Sequence, residues 1–500
     1  MLRTRAVPRS YSSPHVIFLA ILLAFSAFYY PLKTHPTGQL RAADSEGPTS
    51  LMLTAAIDLD KEPRCIAVND ETGRVYIGVE NGTLVIDGAT NDVLMEIPLE
   101  HTPLFIAVNP KNNRIYVDQL GVKVIDGATN AVVGEIHESV NDWEIAIDPV
   151  ANIVYIAHTT TFLHTYDRVV AYDANTLREK FRVNIPGSTK PYFVQSMGVA
   201  VNPETNRVYA TWSYNHNLYM IDGHTHSIVK NVSITQYSNR ILVNPTTNLV
   251  YVARSSGGII LDGESLEQVG TYSGDLRAIN PPSNLLYVRR DDAVCVLDGN
   301  THSELARLEL EDSPHYIAVN PETAMIYVGH RFDKQISVID GRFTYGDLVI
   351  EPGAPEPDQT FTVKVKVTNI CHFEAGTTVD LLVDGGVEGS RDVQLGAGEF
   401  ETLSFELAKG EGTYDIRVDG VSLELSVQCP PVWSPLLPYL PYILGATALV
   451  GLAVGAMVLY RRVRKPQITA PTQVLRCPFC GSVIPQGAVF CPSCGKRIAQ

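Results

Sequence analysis

A twelve-residue unit recurs seven times through the first two thirds of the chain, and this periodicity constrains the fold more than any other feature. Ile106-Ala-Val-Asn-Pro-Lys-Asn-Asn-Arg-Ile-Tyr-Val117 leads to Val124-Ile-Asp-Gly127. Ile317-Ala-Val-Asn-Pro-Glu-Thr-Ala-Met-Ile-Tyr-Val328 leads likewise to Val338-Ile-Asp-Gly341. The unit returns around Tyr76, Tyr116, Tyr155, Tyr209, Tyr251, Tyr287 and Tyr327, and around Asp87, Asp126, Asp173, Asp222, Asp262, Asp298 and Asp340. A period of about 40 residues with short apolar runs and turn residues suits a four-stranded propeller blade. The expected fold class is therefore all-β, with a seven-bladed β-propeller over 50–345, followed by three segments without the repeat over 346–429, 439–460 and 475–500.

Each unit reads as four strands. An apolar Ile-Ala-Val strand ends at an Asn-Pro turn, the Ile-Tyr-Val strand follows, and the third ends in Val-Ile-Asp. An Asp-Gly turn then leads to the outer strand, such as Val132–Ile136. Asn-Pro and Asp-Gly are turn formers, so the repeated Asn and Asp read as structural punctuation and not as catalytic carboxylates. The seventh copy lacks a fourth strand, and Ser50-Leu-Met-Leu-Thr-Ala-Ala-Ile-Asp-Leu59 supplies a candidate. An N-terminal strand completing the last blade would close the ring and protect its edges. The copies resemble the YVTN family of propeller repeats, a WD40-like type, over about 51–343. Copies five and six depart from it at Ser255-Ser-Gly-Gly258 and Pro281-Pro-Ser283.

Binding is expected on the face opposite the regular turns, where insertions fall at Thr159–Arg168, Asn184–Gly198 and Trp212–Asn217. Three residues after each repeated Tyr stand Val79, Gln119, His158, Trp212, Arg254, Arg290 and His330. Arg254, Arg290 and His330 would make a basic arc, with Trp212 and Tyr214 as aromatic surface beside it, for an anionic ligand or an acidic partner segment. The plain alternative is a set of solvated strand ends.

The chain carries a formal net charge of −15, and nothing after Glu424 is acidic, so the body is more acidic than the whole. That disfavours nucleic acid as a partner for the outer domains. No Gly-x-Ser-x-Gly elbow, phosphate-cradling loop or His-Glu-x-x-His pair occurs. The favoured function is a non-enzymatic binding or scaffold module for a protein or a surface polymer. The alternatives are an envelope structural or adhesion protein, and a propeller enzyme of the lactonase or quinone-dependent dehydrogenase kind.

After 346 the repeat gives way to strict alternation, as in Phe361, Val363, Val365 and Val367, then Leu403, Phe405 and Leu407. Short strands between Gly-rich turns read as an antiparallel sandwich. Val367-Thr-Asn369, Leu382-Val-Asp-Gly385 and Gly412-Thr-Tyr-Asp-Ile416 are similar to the immunoglobulin-like cell-adhesion-related domain of bacteria, a resemblance that implies a stalk or adhesion module. Cys371 and Cys429 lie near strand ends, either paired as a disulfide or free. Asn81-Gly-Thr83 and Asn231-Val-Ser233 are glycosylation acceptors.

Two apolar segments suggest a membrane topology. Arg3, Arg5 and Arg9 precede an apolar run from Val16 to Tyr30, the pattern of a signal peptide or an uncleaved signal anchor over 1–35. The run from Tyr439 to Tyr460 carries no charge and is followed by Arg461, Arg462, Arg464 and Lys465. Together these predict a single-pass cell-membrane protein with propeller and sandwich outside and the C-terminus in the cytoplasm. Finally, Cys477-Pro-Phe-Cys480-Gly481 and Cys491-Pro-Ser-Cys494-Gly495 place two Cys-x-x-Cys turns close together, the ligand set of a structural Zn2+ site. The pattern resembles a short zinc ribbon, in which the metal supplies the folding free energy.

Overall fold

Alternating apolar residues become strands here because each blade can bury both of its faces against its neighbours. The computed structural model of the chain describes residues 49–119, 121–137, 142–158, 167–186, 197–212, 216–234, 240–254, 257–429, 440–463 and 474–498. The expected signal segment over 1–35 lies outside the described residues.

Among the described residues, six antiparallel four-stranded sheets span 65–98, 106–136, 142–184, 197–233, 240–273 and 275–309. A seventh blade is built from Tyr316–Val319, Met325–His330 and the first half of the long strand Gln335–Glu351. Its outer position is taken by Ser50–Asp58, antiparallel to that long strand with Leu53 opposite Ile339 and Ile57 opposite Ile336. The innermost strands then meet in cyclic order, Cys65–Asn69 touching Ile106–Asn109 on one side and Tyr316–Val319 on the other. The ring is closed, and its last blade is made from both ends of the repeat region.

The repeated residues hold neighbouring blades together. All seven repeated tyrosines are fully buried between blades. The Tyr116 hydroxyl donates to the Ala174 carbonyl at 3.0 Å, Tyr209 to Gly263 at 2.7 Å and Tyr327 to Gly88 at 3.2 Å, each on the Asp turn of the next blade round the ring. The buried turn asparagines form a second set of links. Asn69 Nδ2 donates to Asn113 Oδ1 at 2.8 Å, Asn109 to Asn152 at 3.2 Å, Asn202 to Asn248 at 2.8 Å and Asn244 to Asn284 at 2.8 Å. Each acceptor asparagine sits at positive φ, a conformation that Asn tolerates better than most residues. Four of the seven junctions carry the link; it is absent where Asp148 replaces the donor, where Gly73 replaces the acceptor, and where Ala324 replaces the acceptor and leaves Asn280 Nδ2 buried without a partner.

The repeated aspartates close the next turn. Asp126 Oδ1 accepts the Ala128 and Thr129 N–H groups at 3.0 and 2.9 Å, and Asp222 accepts those of His224 and Thr225 at 2.9 and 2.8 Å. The Thr225 N–H foremost, against some burial, draws the Asp222 carboxyl down to about 2, so this group stays ionised. Both repeated polar residues are structural, as their turn chemistry implies.

The long strand Gln335–Glu351 does not stop at the propeller. Its second half pairs with Thr360–Asn369, which pairs with Phe400–Ala408. A facing sheet of Gly386–Leu395, Ala375–Val383, Gly412–Val418 and Val421–Val427 completes a sandwich whose core includes Phe343, Phe361, Val365, Phe405 and Ile416. Propeller and sandwich therefore share a strand. The turn at Gly420 packs so closely on the closing strand that a Cβ there would lie 2.2 Å from the Leu51 carbonyl oxygen. Ser283 Oγ also lies 2.9 Å from His372 Nδ1 across the same junction.

The sequence left the Cys371–Cys429 pairing open, and it predicted a transmembrane helix that the structure does not support. Cys371 and Cys429 are both free, because they sit at opposite ends of the sandwich. Cys371 is buried against the Gly341 and Arg342 carbonyls of the shared strand, while Cys429 is exposed beside Glu411. Leu440–Val463 is helical, but among the described residues no helix is long and apolar enough to cross a membrane, so the expected transmembrane helix is withdrawn. Pro441, Gly445, Thr447, Gly451 and Gly455 dilute its apolar run, and Arg461 and Arg462 end it. The assignment of sides that leaned on this span loses that support.

Candidate functional site

The C-terminal cysteines form the most defined site. Residues 474–498 fold into two matching turns. Gly481 N–H returns to the Cys477 carbonyl at 2.9 Å and Gly495 N–H to the Cys491 carbonyl at 2.8 Å. Both glycines have positive φ, +74° and +69°, which lets the chain reverse directly after each Cys pair. Short antiparallel bridges, Arg476 with Val483 and Phe490 with Arg497, flank the turns.

The result brings Cys477, Cys480, Cys491 and Cys494 together with all four sulfurs within 4.8 Å of one another. Cys477 and Cys494 Sγ are 3.9 Å apart, and Cys480 and Cys491 Sγ 3.6 Å. Four Zn–S bonds of ~2.3 Å in a tetrahedron require sulfurs roughly 3.8 Å apart, so this donor set fits Zn2+ without rearrangement. Ser482 Oγ lies 2.9 Å from Cys480 Sγ and 3.4 Å from Cys491 Sγ. That hydroxyl is the main reason both thiols sit below their ordinary range, Cys491 at about 6. The Phe479 N–H approaches Cys477 Sγ at 3.5 Å as an outer partner. With only Cys477, Ile484 and Cys491 in its core, this segment is held by its ligands, and four sulfur donors leave no open position for catalysis.

The second site is the mouth of the propeller channel. A cavity of about 370 Å³ opens between the innermost strands, at the ends where those strands begin. Most of its wall is apolar, with Ile66, Ile145, Val199 and Ile241 among the lining residues. Glu144, Arg240, Arg277 and Tyr316 supply its polar groups. Glu144, Arg240 and Tyr316 occupy one repeat position, four residues before the turn Asn or its Asp148 equivalent.

Arg277 is the extra residue where the register shifts between Leu276 and Ala278, a bulge that re-aims its side chain. Its Nε donates to Asp275 Oδ2 at 3.0 Å, and Arg289 Nη2 donates to the same oxygen at 3.0 Å. Glu144 Oε2 accepts the Val199 N–H at 2.8 Å. Burial pushes the Glu144 carboxyl up to about 8, with Arg240 and that N–H pulling in the other direction. Burial likewise lowers Arg277, and Arg240 adds to the shift by repulsion.

Among the described residues, those expected three after each tyrosine are buried or half-buried. His158 and Trp212 are buried, Trp212 in an interblade core with Tyr155, Val169 and Tyr219. His330 is 1% exposed and lies 2.8 Å from Ser337 Oγ. Arg290 is half-buried, ion-paired with Glu304, and donates to the Ser273 carbonyl at 3.2 Å. Tyr214 and the Arg254 side chain lie outside the described residues. Arg289, one residue before Arg290, reaches Asp275 beside the channel. Of the glycosylation acceptors, Asn81 and Asn231 are both exposed.

The zinc-ribbon domain family model matches residues 476–498, so the four-cysteine segment is a zinc ribbon with a structural metal site. No curated protein matches the chain. Among solved structures, a chain of Kuenenia stuttgartiensis hydrazine synthase aligns with a TM-score of 0.47 at 15% identity, over 57% of this chain and 97% of its own. The beta-propeller domain of Myceliophteria thermophila Cps50 (Swd1) aligns with a TM-score of 0.48 at 12% identity, over 58% and 98% respectively. No chemistry transfers at that distance, and the β-propeller stands on this chain's own closed ring of sheets.

Proposed function

We infer that the chain is a non-enzymatic binding or scaffold protein whose propeller recognises its ligand at the channel mouth, with the zinc ribbon as a separate structural module. One observation carries the reading: exposed apolar side chains border a cavity that contains buried charge. Leu104 lines the cavity and is 63% exposed. Phe332 is 67% exposed and stacks edge-on against His315, the neighbour of cavity-lining Tyr316. Apolar residues beside convergent polar groups are the usual composition of a recognition site. The likeness of the repeats to the YVTN type and of the sandwich to the cell-adhesion-related immunoglobulin-like domain agrees with a display role.

A photo-reactive phenylalanine analogue placed at position 332 of the full chain tests this in the cells that make it. The expected result is one reproducible partner captured there and not from exposed Val269 on an outer blade edge. Equal capture at both positions, or none at either, would remove the reading.

A further inference from the structure

Positive charge is concentrated at one place in a chain whose formal net charge is −15. Asp275 is shared between two guanidinium groups, those of Arg277 and Arg289. A third, Arg240, lies near enough to repel Arg277 and to attract Glu144. Among the described residues, Arg240, Arg277 and Arg289 gather there with the carboxyls of Asp275 and Glu144, and Glu144 gains a proton easily in its buried position. A guanidinium group buried as Arg277 is gains from an oxyanion, which it binds through directed N–H donors. The wall beyond them is hydrocarbon, supplied by Ile145, Val199 and Ile241. The volume of about 370 Å³ falls within the ~300–1,000 Å³ range of small-molecule sites.

We propose that the channel mouth binds a small organic acid, its carboxylate or phosphate held by Arg277 and Arg240 and its apolar body against the inner-strand wall. The proposal rests on the binding reading above and names the ligand class for the same site. In this arrangement Asp275 is an internal competitor, since it occupies the donors that the ligand would use. Removing its charge should therefore tighten binding, an effect opposite in sign to simple damage.

Calorimetric titration of the full chain with hexanoate, hexanamide and inorganic phosphate at constant ionic strength tests the idea. Hexanoate should bind and hexanamide should not. Arg277→Gln should weaken hexanoate by about tenfold or more, the loss expected for a charge-assisted hydrogen bond. Arg240→Gln should weaken it as well, and Asp275→Asn should strengthen it several-fold. Phosphate binding without hexanoate binding would overturn the apolar half of the proposal. Equal affinity for hexanoate and hexanamide, or weaker binding in Asp275→Asn at unchanged melting temperature, would overturn the ionic half. If no probe binds while position 332 still captures its partner, the ligand class is wrong and the recognition reading stands. If capture fails too, both fall.

Discussion

The propeller and the zinc ribbon solve the same problem, holding short β-segments together, by opposite means. The propeller uses repetition: seven buried tyrosines and a series of interblade asparagine links spread the stabilisation over a closed ring. The ribbon has two bridges and a three-residue core, so nearly all of its stability passes through four sulfurs. Distributed contacts tolerate local departures, such as the missing link at Ala324, whereas a concentrated site tolerates none. The difference teaches where a change should be felt and how far it should travel.

The largest separation between the two regions should come from removing the metal. Chelation, or Cys477→Ser, should unfold 475–498, because zinc coordination supplies ~10–16 kcal/mol to small domains of this kind. The propeller should melt at an unchanged temperature. Amide exchange on the full chain reads both regions at once. Persisting protection in the ribbon after chelation would contradict the metal-centred account.

An intermediate effect is expected at Glu144. Its folded carboxyl holds a proton up to about 8, whereas the unfolded group loses it near 4.5. Between those limits the folded state binds more protons than the unfolded state, so rising pH should destabilise the propeller, by up to about 1.4 kcal/mol per pH unit. Arg240 and the Val199 N–H are the groups that oppose this. Glu144→Gln keeps the acceptor for Val199 and removes the charge. It should match the wild type near pH 4 and exceed it in melting temperature at pH 8, and parallel pH curves for the two proteins would refute the shift. The ribbon should be indifferent to the change.

The smallest effect would add one of the missing asparagine links. Ala324 sits at φ +55°, where Asn is better tolerated, and faces the unpartnered Asn280 Nδ2. Ala324→Asn should add about 1 kcal/mol, the net value of one buried hydrogen bond. The gain should vanish in an Asn280→Ala background, which a double-mutant cycle would measure. An equal gain with and without Asn280 would mean that backbone preference alone is responsible.

Much of this architecture was readable because the repeated residues do local work. Asp-Gly and Asn-Pro turns and alternating apolar strands act within a few residues of themselves, so periodicity exposes them. The candidate binding residues were less accessible. Counting three residues on from each tyrosine found Trp212, Arg290 and His330, which are buried or already engaged in hydrogen bonds and ion pairs. The informative position was four before the turn residue, where Glu144, Arg240 and Tyr316 replace the common apolar pattern. Arg277 could not be placed by counting at all, since the bulge that re-aims it depends on strand pairing. The Cys371–Cys429 pairing stayed open in the sequence for a similar reason, since two strand ends in sequence proved to be opposite ends of one sandwich.

The sequence by itself determined the blade, the turns and the four-sulfur zinc site, because each depends on interactions within a few residues or on a fixed ligand spacing. The tertiary structure decided which side chains meet at the channel mouth, that the seventh blade and the sandwich share one strand, and that Cys371 is buried at their junction. Those outcomes depend on the rotation of each blade about the common axis and on register between distant strands, and neither is encoded in any single segment.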